Sequence, residues 1–473
     1  MERDWRRRAV RRIVVVGAGL AGLTAARELL RSGGCAVTVI EAQPRPGGLA
    51  ITVDRQGCRM DLGPHRWHTE MPEAHAVFES LPAGLRIEAV RRSRMLLGGR
   101  LLRYPPSLME LARRMPWRAL GMAAGLLAAR GAHPATSGAA PSDCAAALRS
   151  LYGRPIYDLL FGPYMGKVWK TPPEQLDAEI VRLRILPHRN RLARVARPRS
   201  NRRLQYLRGG IEALPRRLAA DVERAGGRII CGAQAVALEG EAGAVRAVVC
   251  QTASEGAKRF EADAVLSTAP ITNLAQMLAP LGMAPQAVES ARSLEFLRLI
   301  LVNLMIARDR AMPDSWIYFP EASIRINRAH EPKNFDPSMG PPGRSILAAE
   351  ITCRGADAHW RAGDADLIAT ATRDFQTAGL IRAGDVADGF VVRLETAYPL
   401  YQIGFRSRLA TVLEAVGRFG NVVTFGRQGL FNHNNMDHSI VMGLRAAQAA
   451  ASRTPATAMR AFDAEFQRFR IVD

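Results

Sequence analysis

The chain has 473 residues, 48% of them hydrophobic, which is length enough for two or three domains around a sizeable core. Its net charge is +21, carried almost wholly by arginine, because lysine occurs only at Lys167, Lys170, Lys258 and Lys333. The arginine-dense stretches hold few aromatics and no nucleic-acid-binding motif, which argues against nucleic acid as a partner.

A compositional preference for arginine and alanine accounts for this charge, and attraction to anionic ligands or a membrane surface is the functional alternative. Cys35, Cys58, Cys144, Cys231, Cys250 and Cys353 show no C-x-x-C spacing, and the nine histidines do not cluster with them. Neither a disulfide framework nor a metal site is expected, and free thiols point to a reducing, cytoplasmic setting.

The first predicted element is the apolar strand Ile13–Val16, which runs into Gly17-Ala18-Gly19-Leu20-Ala21-Gly22. A helical pattern from Thr24 to Arg31 follows, then a second strand, Ala36–Ile40, ending on Glu41. In such a unit the first glycine permits the tight turn, the second lets the backbone approach a pyrophosphate, and the third allows close helix–strand packing. The helix N-terminus then faces the phosphates, and the acid bonds a ribose hydroxyl. The unit predicts dinucleotide binding. Arg6–Arg12 before it imitates the charged region of a signal peptide, but the glycine fingerprint explains the same residues better.

Arg45-Pro46-Gly47-Gly48 reads as a turn, and Ala50–Asp61 as a hairpin around Arg55-Gln56-Gly57. Helical patterning is expected from Glu73 to Ala129. Within it, Ala119–Ala129 is an apolar run between Arg118 and Arg130, too short to span a bilayer. We read it as a buried helix, with a helix lying on a membrane surface as the alternative. Ala132–Pro141 is expected as a loop, with Ser142 or Asp143 capping the next helix. Strands return from Gly227 to Pro270. Leu294–Leu409 is mixed and broken by loops, and Asn421–Asp473 opens with a strand, Val422–Phe425, and closes in helix.

Several motifs now carry a resemblance. Arg45-Pro46-Gly47-Gly48 resembles the R-x-G-G turn of flavoproteins in the amine oxidase and glutathione reductase superfamily, where it passes beside the FAD pyrophosphate. Ala262–Pro270 resembles the strand by which those chains return to the FAD domain. Gly63-Pro64-His65-Arg66-Trp67-His68-Thr69 is similar to the G-P-H-x-F-H-T signature of UDP-galactopyranose mutases. Tyr164-Met165-Gly166-Lys167-Val168-Trp169 resembles their Y-x-x-K-x-W segment, and Arg328 to Phe335 their R-x-x-E-x-K/R-x-F segment. Tyr398-Pro399, Gly426-Arg427 and Asn435-Met436-Asp437 complete the set in the same order.

The resemblance implies an α/β fold: a Rossmann-like FAD-binding domain of GR2 type from 10–75, 205–275 and 420–473, a helical cap over 76–204, and a mixed-sheet substrate domain over 276–419. FAD is the expected cofactor, in reduced form if the chemistry is mutase-like. In that family the N5 of reduced flavin attacks the anomeric carbon and displaces a nucleotide diphosphate, with no net redox change. The ring then opens and recloses at a different hydroxyl. Charge developing on the leaving group calls for arginine forks.

Arg328 and Arg427 match the diphosphate-binding arginines and, with His65 beside the isoalloxazine, form the catalytic set; His68 would lie nearby. Arg184, or Arg182, falls close to a third arginine. Tyr164 and Trp169 would flank the base, Tyr398 would bond a phosphate oxygen, and His433 and Asn435 would line the substrate. The cofactor-binding set is Gly17, Gly19, Leu20, Ala21, Gly22, Glu41, Ala42, Arg45, Gly47, Gly48, Gly63, Pro64, His65, Gly426, Arg427, Asn435, Met436 and Asp437.

Read singly, each has a duller meaning: Tyr164 and Trp169 as core aromatics, the arginines as surface charges, His65 as a turn residue, Asp437 as the N-cap of a helix over His438–Ala451. Only the ordered set lifts them together.

Departures from the family pattern matter as much. Ile211, after Gly209-Gly210, stands where mutases carry a tyrosine that touches the diphosphate, and His433 and Asn435 replace a tyrosine and an aspartate. Losing two phenol donors costs about 1–3 kcal/mol each where the partner oxygens stay buried. Two function classes follow. One is an isomerase-like enzyme acting on a nucleotide-linked or phosphorylated sugar. The other is an FAD-dependent oxidoreductase that removes hydride from a small molecule. The expected partner is an anionic or nucleotide-linked small molecule; peripheral membrane contact stays open.

Overall fold

The strand Arg11–Val16 is the centre of a five-stranded sheet whose order is Val422–Thr424, Ala264–Ser267, Arg11–Val16, Cys35–Ile40, Arg228–Ile230. Every neighbouring pair in it is parallel. Three distant stretches of chain therefore share one sheet. The computed structural model describes residues 10–104, 108–116, 141–185, 203–241 and 243–471. The apolar run Ala119–Ala129, the loop from Ala132 to Ala140, and the arginine-dense stretches before residue 10 and over 189–202 lie outside them.

A parallel sheet buries both faces, so its strands read as continuous apolar runs, with alternate residues serving opposite sides. Ile13 and Val15 pack with the helices Leu20–Ser32, Ala213–Arg224 and Met436–Ala450. Val14 and Val16 pack on the other side with Leu238 and Val248 of an antiparallel three-stranded sheet (Ala233–Glu241, Ala244–Thr252, Gly256–Glu261). The first and last of those helices touch almost backbone to backbone. A Cβ on Gly443 would lie 2.4 Å from the Ala21 carbonyl oxygen.

The second large sheet has seven strands, ordered Val386–Pro399, Phe296–Ile306, Ser345–Cys353, Arg328–His330, Trp316–Tyr318, Ser93–Leu97, Arg100–Arg103. The hairpin Thr52–Arg55/Cys58–Asp61 packs Cys58 and Met60 against Leu299, Leu301 and Ile346 on one face of it. Gln56 and Gly57, both at positive φ, make the two-residue turn of that hairpin. The helix Asp364–Thr377 covers the opposite face.

The helical patterning expected from Glu73 to Ala129, and the cap expected over 76–204, need correcting. Arg86–Val90, Ser93–Leu97 and Arg100–Arg103 are strands. Gly98 and Gly99, both at positive φ, close a tight hairpin between the last two, which no helix accommodates. Ser93–Leu97 then pairs in parallel with Trp316–Tyr318, and Arg86–Val90 pairs with Arg203–Leu207. Further on, Asp143 caps Cys144–Tyr152 by accepting from the Ala146 N–H at 2.7 Å. Among the described residues no helix is long and apolar enough to cross a membrane. All six cysteines are free.

Candidate functional site

At one end of the site two glycine turns meet. Gly17 has φ of 101°, and a Cβ there would lie 2.1 Å from Thr268 Oγ1. A Cβ on Gly22 would lie 2.0 Å from the Gly17 carbonyl oxygen. The Gly47 N–H donates to the Ala18 carbonyl at 2.9 Å, and a Cβ on Gly48 would reach 3.1 Å from Gly19 Cα. The helix Leu20–Ser32 begins at Gly19, with no side chain capping it and no acid in its first turn. Its leading N–H groups are thus presented to an incoming phosphate, with Leu20 and Ala21 among them.

Glu41 ends the second strand beside this turn. Its two oxygens accept from the Ala18 N–H at 2.7 Å and the Gln43 N–H at 2.9 Å. A carboxylate offers about four lone-pair positions, so acceptor capacity remains for ribose hydroxyls. Arg45 is otherwise engaged. Its Nη1 donates to both oxygens of Glu212 (3.1 and 3.0 Å) and its Nη2 to the Thr52 carbonyl (3.0 Å), bracing the turn against the helix Ala213–Arg224.

At the other end, Gly63 (φ 110°) and Pro64 present His65. Burial, with Arg328 and Arg427 nearby, holds the His65 imidazole down to about 4, so it is neutral at pH 7. Its shielded Nδ1 has no hydrogen-bond partner among the described residues. Gly426 (φ 80°) approaches Ala21 closely. Asn435, rather than Asp437, is the N-cap of the helix Met436–Ala450, and its N–H donates to His438 Nδ1 at 3.1 Å. The helix therefore starts two residues before the expected His438. Asp437 lies in its first turn, 6% exposed, with Oδ1 unpartnered among the described residues.

Beyond His65 the arginines gather. Arg328 grips Glu350 as a fork, Nε and Nη2 each 2.9 Å from a carboxylate oxygen. Arg427 is held by carbonyls instead: Nε and Nη2 reach Ala397 (3.1 and 3.0 Å) and Nη1 reaches Asn434 (2.5 Å). Its guanidinium carbon lies 5.3 Å from the Tyr398 ring centroid. Burial lowers the Arg427 pKa to about 10, which leaves it charged at neutral pH. Arg184 places Nη1 3.3 Å from His433 Nε2, whereas Arg182 turns to Glu179 and the Gln467 carbonyl. Of the two, Arg184 is the one that stands with His433. Among the described residues only Arg328 of these three has a carboxylate partner.

His433 closes the row. Its N–H donates to the Tyr401 hydroxyl at 2.8 Å, and its ring centroid is 5.1 Å from Tyr398 and 5.8 Å from Trp169. Burial, with Arg427, Arg184 and Arg328, drives its pKa well below the usual histidine value. Tyr164 packs edge-on against Tyr318 at 5.8 Å, and burial raises its phenol well above 10, so it stays a neutral donor.

Two expectations change here. Trp169 is 2% exposed and packed edge-on against Tyr398 and His433, so neither face is open for a base to stack upon. Ile211 is enclosed in the nucleotide-domain core with Leu207, Leu214 and Leu218, and its N–H donates to Asp61 at 3.2 Å. That position shapes the domain core rather than an open site.

Sequence reasoning passed over Glu350, His330, Asp61 and Tyr401. Glu350 had a signal, as the one charge in the fully buried strand Ser345–Cys353. His330 is 1% exposed, neither ring nitrogen has a hydrogen-bond partner among the described residues although Nδ1 lies 3.8 Å from Glu350 Oε1, and its pKa is lowered to about 3 by burial and by Arg328 and His65. Asp61 ties the hairpin to the nucleotide-domain core. It accepts from Thr52 Oγ1 (2.6 Å), the Tyr206 hydroxyl and the Ile211 N–H, and burial raises it to about 6.

Comparison with known proteins agrees with this fold. In fold the chain is similar to reduced UDP-galactopyranose mutase, with a TM-score of 0.80 and 22% identity over 98% of this chain and 100% of that one. It is similar also to a candidate protoporphyrinogen oxidase from Exiguobacterium sp. 255-15, with a TM-score of 0.71 and 19% identity over 97% and 99% of the two chains. An L-amino-acid oxidase of Naja atra is 46% identical over 67 residues, which cover 14% of this chain and 12% of that oxidase. The curated relatives are matched over only a small part of their length. Residues 20–449 match the family of flavin-containing amine oxidoreductases. The uncapped helix N-terminus, the glycine turns and the free acceptor capacity of Glu41 suit a dinucleotide, and the buried, unpartnered His65 Nδ1 and Asp437 Oδ1 are polar atoms a bound cofactor would satisfy. The chain belongs to the flavin-containing amine oxidoreductase family, and FAD is its cofactor.

Proposed function

We propose that this FAD-dependent enzyme acts on an anionic small molecule, a nucleotide-linked or otherwise phosphorylated sugar, by mutase-like chemistry. One observation carries the reading. Arg184 and Arg427 stand beside the Arg328–Glu350 pair with no carboxylate partner among the described residues. Arg427 in particular is buried, and a desolvated cation without a counter-charge carries a cost that a bound anion offsets.

When reduced, FAD supplies displacement at an anomeric carbon without net redox change. The chain's own residues do the rest. Arg427 and Arg184 take up negative charge growing on a departing phosphate group, where charge-assisted bonds are strongest. Arg328 is aimed by its fork to Glu350. Tyr164 offers a neutral phenol donor, and the neutral His65 can accept or donate a hydrogen bond beside the cofactor.

An oxidoreductase that removes hydride from a small molecule is the second reading. The closure of Trp169, which leaves no open face for a nucleotide base, favours it, as does the family's chemistry. FAD-loaded protein offered a panel of nucleotide sugars separates the two. Product formed only after dithionite reduction, without stoichiometric consumption of reductant, supports the mutase reading. Anaerobic bleaching of oxidised flavin by a substrate, with recovery in air, overturns it in favour of the oxidoreductase.

A further inference from the structure

We propose that His433 is a positioning residue for anion binding: as an uncharged hydrogen-bond acceptor it holds Arg184 in place and leaves the full positive charge of that arginine to the ligand. The proposal rests on the reading of the site as an anion site. A guanidinium has donors only, so in the 3.3 Å contact between Arg184 Nη1 and His433 Nε2 the imidazole nitrogen is the acceptor and the ring proton belongs on Nδ1. The ring is not free to turn away. Its backbone N–H is tied to the Tyr401 hydroxyl, and Tyr398 and Trp169 pack against it. Burial and the three arginines keep it uncharged.

The neighbouring arginines show what the choice of acceptor does. Arg328 is gripped by the Glu350 carboxylate, so that pair carries no net charge. Arg427, across the Tyr398 ring, is held by the Ala397 and Asn434 carbonyls and keeps its charge. Arg184 follows the second pattern, with an imidazole in the place of the carbonyls. The row Arg184, His433, Tyr398, Arg427 then presents two unneutralised guanidinium groups, a match for two linked phosphates rather than for one carboxylate.

The test is calorimetric titration of inorganic pyrophosphate into FAD-loaded wild type, Arg427→Leu, His433→Gln, His433→Glu and His433→Phe. Gln and Glu have nearly the same volume, so a merely structural role for the side chain moves both alike. Flavin absorbance and the melting temperature of each variant report on folding. The expected result is that His433→Gln, an uncharged acceptor, binds within about threefold of wild type. His433→Glu, which neutralises Arg184, and His433→Phe, which leaves it unheld, each bind about tenfold or more weakly, a loss of one charge-assisted contact. Equal affinities for the Gln and Glu variants, or wild-type affinity for the Phe variant, overturn the role of His433. Wild type that does not bind pyrophosphate, or Arg427→Leu that binds it undiminished, overturns the anion-site reading itself.

Discussion

The glycine cradle and the arginine site are built by opposite means. The cradle is backbone: its shape comes from Gly17 and Gly22, where a side chain would collide, and from Gly48 at positive φ against Gly19, and its recognition groups are N–H groups at a helix start. The arginine site is side chains from separate segments, and burial works against the charge of Arg427. A backbone site tolerates little change at its glycines but is indifferent to most neighbours. A side-chain site depends on who partners whom. Arg328 and Arg427 make the point, since the one has a carboxylate and the other only carbonyls.

The largest effect is expected at the cradle. In Gly22→Ala the new Cβ would lie 2.0 Å from the Gly17 carbonyl, against rigid backbone, and the protein is expected to purify without flavin absorbance. Retention of stoichiometric FAD by that variant would break the view that the cradle is backbone-limited. At the arginine site Glu350→Ala strands Arg328 as an unpaired, largely buried cation. A destabilisation of about 3–5 kcal/mol is expected, read as a lower thermal midpoint of the holoenzyme. An unchanged midpoint would mean that the pair is dispensable.

Asp61, buried among Thr52, Tyr206 and Ile211, extends the comparison through pH. Its pKa rises from 3.8 unfolded to about 6 folded, so between those values the folded state binds more protons and stability falls as pH rises. Asp61→Asn should flatten that decline between about pH 4 and pH 6, and parallel stability–pH curves for the two proteins would refute it. The smallest effect is a purely local one. Asp143→Ala removes an N-cap in neither region, and a loss of about 1 kcal/mol in thermal unfolding is expected with FAD content unaltered.

What could be read along the chain follows the same division. The strand, glycine turn, helix and Glu41 lie within some thirty residues, and their contacts are local, so spacing alone was enough. The Asp143 cap and the Arg55–Gly57 turn were legible for the same reason. The Gly98-Gly99 hairpin carried an equally local signal, yet helical spacing around it was given precedence. The arginine site was legible only in its membership. Arg182 and Arg184 are two residues apart on one helix and so face different ways, and only the position of His433, some 250 residues on, selects between them. Trp169 as an open platform and Ile211 as a site position were each judged by motif, and packing decided otherwise.

By itself, then, the sequence determined the dinucleotide cradle, the likeness to flavoproteins and the identity of the arginines, because each is a matter of residue type at short spacing. The tertiary structure alone decided which charge meets which partner: Arg328 with Glu350, Arg427 with carbonyls, Arg184 with a neutral imidazole. Burial makes that pairing decisive, since a desolvated charge must be matched within hydrogen-bond reach, and reach is set by how distant segments pack rather than by their order along the chain.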